Sequence, residues 1–152
     1  MNEAHNPGVE LSSFLATNQL YFEAFAERDA NRRGELLARC MTEDAEIWGP
    51  NRLFAGYTAI SEKIAAFHRN WPGCRLVLAS GIVSFEHFVR FAVAIVRADS
   101  TVVATGENID ELAADGRIRR VVPLWAMALP PLPNSWPEEL ATRINREPPN
   151  AA

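Results

Sequence analysis

The segment GENIDELAADGRI, residues 106–118, carries in its first half four polar side chains that could do acid/base or hydrogen-bonding chemistry: Glu107, Asn108, Asp110 and Glu111. Its second half, DGRI, is typical of a hairpin turn, so its first half is predicted to be a strand. Side chains alternate along a strand, which puts Asn108 and Asp110 on one face and Glu107 and Glu111 on the other. A carboxyl group in apolar surroundings has a raised pKa and can exchange a proton, while an asparagine amide donates hydrogen bonds at every pH.

Three helices are predicted to precede this strand. Residues 1–10 are expected to be a flexible arm. The periodicity of apolar residues predicts a first helix capped by Ser12 or Ser13 and ending near Asp29, then a second over residues 31–40. A short strand in DAEIWGP follows, and a third helix lies in GYTAISEKIAAFHRNW.

Four strand-like segments rich in Val, Ile and Phe come next: RLVLASGIVSFE, FVRFAVAIVRA, VVATGENIDELA and RIRRVVPLWAMAL. Turn signals separate them at His87, at Asp99–Ser100 and at Asp115–Gly116, which predicts an antiparallel meander. The element order α-α-β-α-β-β-β-β indicates an α+β fold with one domain over residues 11–129. The proline-rich segment 130–152 is predicted to be a tail with a short helix.

Composition limits the partners. The chain has 152 residues, a net charge of −4 and two cysteines, Cys40 and Cys74. The acidic balance argues against nucleic acid as a partner. We expect a cytoplasmic protein without a membrane partner, because no apolar run is long enough to span a bilayer, the N-terminal residues do not resemble a signal peptide, and the cysteines form no disulfide framework.

A twisted sheet that curls round one helix leaves a concavity, and a concavity is the usual place for a small-molecule site. Tryptophans flank the predicted concavity and could form its walls: Trp48, Trp71 and Trp125. Arg90 lies in an otherwise apolar strand, where it could pair with a carboxylate across the sheet or bind an acidic ligand. The three histidines, His5, His68 and His87, lack metal-ligand spacing, so neither a metal nor another cofactor is expected.

The chain resembles the nuclear-transport-factor-2-like superfamily, and within it the SnoaL-like polyketide cyclase and ketosteroid isomerase branch. The resemblance spans about residues 14–128 and is carried by six pieces: YFEAFAERD, TEDAEIWGP, FAGYTAISEKIAAF, NWPGCRLVL, VRFAVAIV and ATGENIDELAADGRI. It implies a cone in which a highly curved antiparallel sheet wraps a long helix, with a pocket at the wide end. It also implies homodimers that pack through the sheet.

The resemblance assigns roles to several residues. Tyr21 falls on the family's helix-one tyrosine and Asn108 on its oxyanion-holding aspartic acid, which makes Gly106, Asn108 and Asp110 the inward set. The family's isomerases move a double bond beside a ketone; a carboxylate takes the proton and two donors hold the enolate oxygen. The position of that carboxylate falls on Gly49, and Glu46 has the opposite strand parity.

Two other reaction types of the superfamily also need a residue that this chain lacks. The polyketide cyclases and the limonene epoxide hydrolases place an aspartate on the strand after DGRI. The corresponding segment of this chain, RRVVPLW, has no carboxylate and no histidine. None of the three known mechanisms therefore carries over unchanged.

Three functions remain open. The first is an apolar pocket for a small carbonyl-bearing or polycyclic molecule, with isomerase- or cyclase-type acid/base chemistry in which Asp110 is the base and Tyr21 and Asn108 hold the oxygen. The second is a binding protein without catalysis. The third is a dimerisation module whose pocket is filled by its own side chains.

Overall fold

The computed structural model describes residues 10–125. Nearly all of the expected arm over residues 1–10, the last residues of the expected domain and the proline-rich segment 130–152 lie outside the described residues. His5 lies outside them as well.

Three helices are present: α1 Leu11–Ala26, α2 Ala30–Cys40 and α3 Gly56–Asn70. Helix α1 ends before the predicted boundary because Asp29 belongs to α2. The Asp29 carboxylate accepts hydrogen bonds from the backbone N–H groups of Asn31 at 3.1 Å and Arg32 at 2.9 Å, and so caps the second helix. The predicted serine cap of α1 is wrong, since Glu10 occupies the cap position and Ser12 is already helical.

Seven strands form one sheet: β1 Met41–Trp48, β2 Leu53–Ala55, β3 Arg75–Leu78, β4 Val83–Phe85, β5 Phe88–Val96, β6 Val102–Leu112 and β7 Ile118–Trp125. The order of helices and strands is consistent with the predicted one, with two strands more than predicted. The strand β2 was not predicted, and the segment RLVLASGIVSFE, expected to be one strand, forms β3 and β4. The regular strand pairing is interrupted at Ser80, between these two strands. The Ser80 hydroxyl there accepts a hydrogen bond from the Ala92 N–H at 2.7 Å.

The strand order is β2-β1-β7-β6-β5-β3, and β4 also pairs with β5. The antiparallel meander of β5, β6 and β7 is confirmed. The sheet is not wholly antiparallel, however, because β1 and β7 run parallel, with Ile47 opposite Val121. A parallel pair needs a long crossover connection, and α3 with the strands between it and β7 supplies one.

The concave face of the sheet packs against α1, as in the α+β cone predicted. The rings of Phe14 on α1 and Phe91 on β5 lie 5.7 Å apart in the buried core. On β6 the predicted alternation is confirmed, since Asn108 and Asp110 are buried while Glu107 is partly exposed. No helix within residues 10–125 has the length and hydropathy needed to cross a membrane.

Candidate functional site

A cavity of about 600 Å³ lies between the helices and the curved sheet. Its lining is mostly apolar, which suits a small organic ligand. The described residues that line it are Tyr21, Phe25, Ile47, Phe54, Lys63, Ala66, Phe67, Asn70, Trp71, Leu76, Ile95, Ala104, Asn108, Pro123 and Trp125. They come from α1, α3 and most of the strands, so the cavity exists only in the assembled fold.

Two buried polar side chains, Tyr21 and Asn108, lie in the wall of this cavity. Tyr21 is on the inward stripe of α1, with its ring 5.1 Å from that of Phe25. Asn108 is on the concave face of β6, and its Oδ1 has no hydrogen-bond partner among the described residues. Burial, followed by the nearby Asp110 carboxyl group, raises the pKa of Tyr21, so its hydroxyl keeps its proton and can donate a hydrogen bond to a ligand.

Asp110 lies two residues beyond Asn108 on the same face, but it is fully buried and is not among the residues that line the cavity. Neither carboxyl oxygen has a hydrogen-bond partner within residues 10–125. Burial raises the pKa of Asp110 well above its usual range, so the group holds its proton. This geometry brings Asp110 close to Tyr21 but gives it no surface facing the cavity, which a general base needs.

The five residues expected to bind a ligand fall in different places. Trp71 and Trp125 line the cavity. Trp48 is about half-exposed, and its indole N–H donates to Glu46 Oε2 at 2.9 Å. Because side chains alternate along β1 and Ile47 faces the cavity, Trp48 points outward.

The other two candidates, Arg90 and Gly106, do not line the cavity. The Arg90 guanidinium is exposed and donates two hydrogen bonds to Glu107, at 2.9 and 3.0 Å, which is the cross-strand pairing considered above. Gly106 leaves room for the ring of Trp125 and the backbone of Leu124.

Gly49, the position of the expected catalytic carboxylate, belongs to the turn between β1 and β2. Its N–H donates to the carbonyl of Arg52 at 2.8 Å. A Cβ at this position would lie 2.9 Å from that same oxygen, so any side chain requires the turn to shift. Among the described residues that line the cavity there is no Asp or Glu.

Sequence reasoning missed Lys63, which lines the cavity from α3. Its Nζ lies 5.1 Å from the centre of the Phe54 ring, and burial lowers the pKa of Lys63. The helical spacing of the sequence could have indicated that Lys63 faces the cavity. Lys63 precedes Phe67 by four residues, so both share the helix face that points at the sheet.

Neither described histidine takes part in this wall. His68, on α3, has a buried Nε2 without a partner among residues 10–125, and His87 is exposed in the turn between β4 and β5. In the described part of the chain, no three His, Cys, Asp or Glu side chains come together in a group that could hold a metal ion.

No family model and no curated protein matches the sequence. Solved structures do match the fold. A crystal structure of a candidate isomerase of the SnoaL-like family from Agrobacterium tumefaciens is 29% identical with a TM-score of 0.68, over 76% of this chain and 99% of that one. A candidate ketosteroid isomerase from Kribbella flavida is 21% identical with a TM-score of 0.55, over 80% and 84% of the two chains.

A third structure, a protein of unknown function with a cystatin-like fold from Methylobium petroleophilum, is 13% identical with a TM-score of 0.62, over 84% and 85% of the two chains. At this identity the likeness concerns the fold alone. The chain therefore has the fold of nuclear-transport-factor-2-like proteins of known structure, and it is similar to a candidate isomerase of the SnoaL-like family.

Proposed function

We propose that this protein binds a small, mostly apolar molecule whose carbonyl or hydroxyl oxygen lies against Tyr21 and Asn108. The observation that carries the proposal is the presence of these two buried polar groups in the wall of an otherwise apolar cavity of about 600 Å³. The buried Asn108 Oδ1 has no hydrogen-bond partner within residues 10–125, which costs about 1–3 kcal/mol, and a ligand hydroxyl that donates to it offsets that cost. The apolar remainder of the ligand packs against Phe25, Trp71 and Trp125.

The two groups suit an oxygen because they offer complementary hydrogen-bonding atoms. The protonated Tyr21 hydroxyl donates to a carbonyl, and the Asn108 amide has both a donor and an acceptor. The buried Asp110 behind them is protonated and uncharged, so it does not repel a partly negative oxygen. We assign Asp110 this supporting role in the binding function.

An isomerase- or cyclase-type reaction is the second candidate. It is favoured by the similarity to the Agrobacterium protein, which is described as a candidate isomerase, and by the pair of donors that would hold an enolate oxygen. The reaction also needs a base. Asp110 serves in that role only if ligand binding opens a path to its carboxyl group, so we rank binding without catalysis first.

Homodimerisation through the sheet is part of the proposal. Several large apolar side chains of the strands are exposed in the single chain, among them Val83, Phe85 and Val102. A second copy packed on the sheet removes such surface from water. A cytoplasmic location stays a prediction.

Binding can be tested with acetylnaphthalene, a neutral aromatic ketone, and with ethylnaphthalene, which has nearly the same shape but no oxygen. Quenching of tryptophan fluorescence reports the affinity. We expect Tyr21→Phe and Asn108→Leu each to weaken binding of the ketone about tenfold, as the loss of one buried hydrogen bond predicts. Binding of the hydrocarbon should be little affected by Tyr21→Phe.

Tyr57→Phe is the matched control, because the Tyr57 hydroxyl donates to the carbonyl of Met41 at 3.0 Å and Tyr57 does not line the cavity. Ketone binding that survives both cavity substitutions unchanged contradicts the proposal. Catalysis is tested in the same samples by NMR, as exchange of the ketone's α-protons with deuterated water. Exchange that requires wild-type protein and stops in Asp110→Asn raises the second candidate above the first.

A further inference from the structure

Lys63 is the one charged residue among the described residues that line the cavity. It lies at the boundary of the cavity, because it also lines a neighbouring surface groove. Tyr21 and Asn108 are far more deeply buried than Lys63 and Trp71. The cavity therefore has an uncharged polar wall inside and a single cation near its edge.

The charges around Lys63 do not neutralise it. No carboxylate lies within ion-pair distance of its Nζ among residues 10–125. The guanidinium of Arg52 lies on the same Phe54 ring, 4.8 Å from its centre, and Arg69 lines the same groove. Glu62 is the one acidic residue among the described residues of that groove.

A partly buried ammonium without a counter-ion is unfavourable, since its hydration is lost and nothing replaces it. The lowered pKa of Lys63 reflects that loss of hydration. The Phe54 ring offers only partial compensation by a cation–π contact. A negatively charged group in the cavity would offset the rest. The edge of the cavity is thus suited to an anion, while its interior is suited to an uncharged oxygen.

We propose that the ligand is an apolar keto or hydroxy acid, whose carboxylate binds Lys63 while its other oxygen lies against Tyr21 and Asn108. This inference rests on the proposed binding function and adds the chemical class of the ligand. The acid group distinguishes such a molecule from a neutral steroid-like ketone. The cavity's volume and its aromatic walls suit a ligand whose body is an aliphatic or aromatic ring system.

The test compares acetylnaphthoic acid with its methyl ester, which keeps the shape and the ketone but has no charge. A second pair with the carboxylate on an ethyl arm covers a longer span. Affinities are measured by titration calorimetry for the wild-type protein, Lys63→Gln, Arg69→Gln and Tyr21→Phe. Lys63→Met, which keeps more of the apolar stem, replaces Lys63→Gln if thermal unfolding shows that the latter is poorly folded.

In the wild-type protein we expect at least one acid to bind about tenfold more tightly than its ester, or about 1.4 kcal/mol. Loss of the Lys63 charge should reduce this ratio to about one, while Arg69→Gln, which removes the same charge from the same helix, should keep most of it. The preference for the acid should also decline as the pH rises through the pKa of Lys63, since the neutral amine attracts no carboxylate.

The outcomes separate the two proposals. Equal affinities for acid and ester in the wild-type protein, or a preference that persists without Lys63, overturn the inference about the acid and leave the binding function in place. A preference that depends on Lys63 but ignores Tyr21→Phe supports the acid and contradicts the proposed position of the second oxygen. If neither acid nor ester binds the wild-type protein, both proposals are wrong.

Discussion

Gly106 on β6 lies against the indole ring of Trp125, its register partner on β7. A Cβ on Gly106 would come within 2.8 Å of Trp125 Cε3 and within 2.8 Å of the Leu124 carbonyl oxygen. Because Trp125 forms part of the cavity wall, the missing side chain of Gly106 sets how closely that wall approaches the strand. We expect Gly106→Ala to destabilise the protein by about 1–3 kcal/mol, as for other overpacked sites, and to weaken ligand binding.

Gly34 provides the control for this substitution. A Cβ on Gly34, in the middle of α2, meets no atom within 4 Å. Gly34→Ala should therefore raise the free energy of unfolding by up to about 1 kcal/mol, through the higher helix propensity of alanine. Denaturation in urea measures both variants. Equal stability of Gly106→Ala and the wild-type protein would show that the Trp125 ring moves freely.

The stability of the fold should depend on the protonation of Asp110. Burial raises its pKa above the value in the unfolded chain, so the folded state binds more protons. The stability that Asp110 contributes is fully present below its pKa in the unfolded chain. It is lost as the pH rises toward its pKa in the folded protein. We expect Asp110→Asn to be more stable than the wild-type protein at pH values above the unfolded pKa, and the difference should grow as the pH rises toward the folded pKa.

Urea denaturation at several pH values measures this difference, which should vanish in mild acid. Asp115→Asn is the matched control with the opposite sign. The Asp115 carboxylate accepts a hydrogen bond from the Arg117 N–H, and this lowers its pKa. The stability that the Asp115 carboxylate contributes is therefore lost as the pH falls, whereas that of Asp110 is lost as the pH rises. A constant difference between wild type and Asp110→Asn across the whole pH range would be incompatible with a raised pKa.

Arg33 should be a stabilising residue. It is buried, its Nε donates to Ser61 Oγ at 2.8 Å, and its Nη1 donates to the Glu27 carbonyl oxygen at 2.9 Å. These bonds connect the turn between α1 and α2 to α3, the helix that carries Lys63. We expect Arg33→Met to lose roughly 2–3 kcal/mol of unfolding free energy, because it leaves two partly buried acceptors without a charged donor.

Arg32→Met is the corresponding control. The Arg32 side chain is 71% exposed and its ion pair with Glu27 has an N–O distance of 3.5 Å. Such pairs contribute little, so the change should stay below about 1 kcal/mol. Comparable losses in the two variants would argue that Arg33 acts through helix propensity alone.

The two cysteines should react differently with thiol reagents. Burial raises the pKa of Cys40 to about 12, while Cys74 is partly exposed. Since the thiolate is the reactive form, the native protein should be labelled at Cys74 alone, and Cys40 should react only after unfolding. Mass spectrometry of peptides from briefly labelled protein identifies the site. Rapid labelling of native Cys40 would contradict the packing of α2 on the core.

Local patterns predicted much of the fold. The alternation in β6 separated Asn108 from Glu107, and the apolar periodicity located the three helices. The pattern failed at β2, which has only the three residues Leu53–Ala55 and acquires its strand conformation from pairing with β1. A segment of this length is too short to show an alternating pattern, and the strand that stabilises it lies elsewhere in the sequence.

The site was harder to predict than the fold. Whether Asp110 faces the cavity or lies behind it depends on the curvature of the sheet, which alternation does not encode. Lys63 was missed because a lysine on a helix is usually exposed, even though its spacing from Phe67 places it on the inward face; the position of Phe54 shows that its stem is covered. Trp48 was assigned to the wall for its residue type, although the parity of β1 already placed it outside with Glu46.

The parallel pairing of β1 with β7 has a consequence for the order of folding. Arg117 Nη1 contacts the Met41 carbonyl oxygen across 76 residues of chain, so this contact requires the closure of a long loop. Contacts of this range tend to make folding slow. Ile47 on β1 and Trp125 on β7 both line the cavity, and Trp125 is the last in chain order of the described residues in its wall. During synthesis, the nascent chain therefore cannot complete the pocket until residue 125 has left the ribosome.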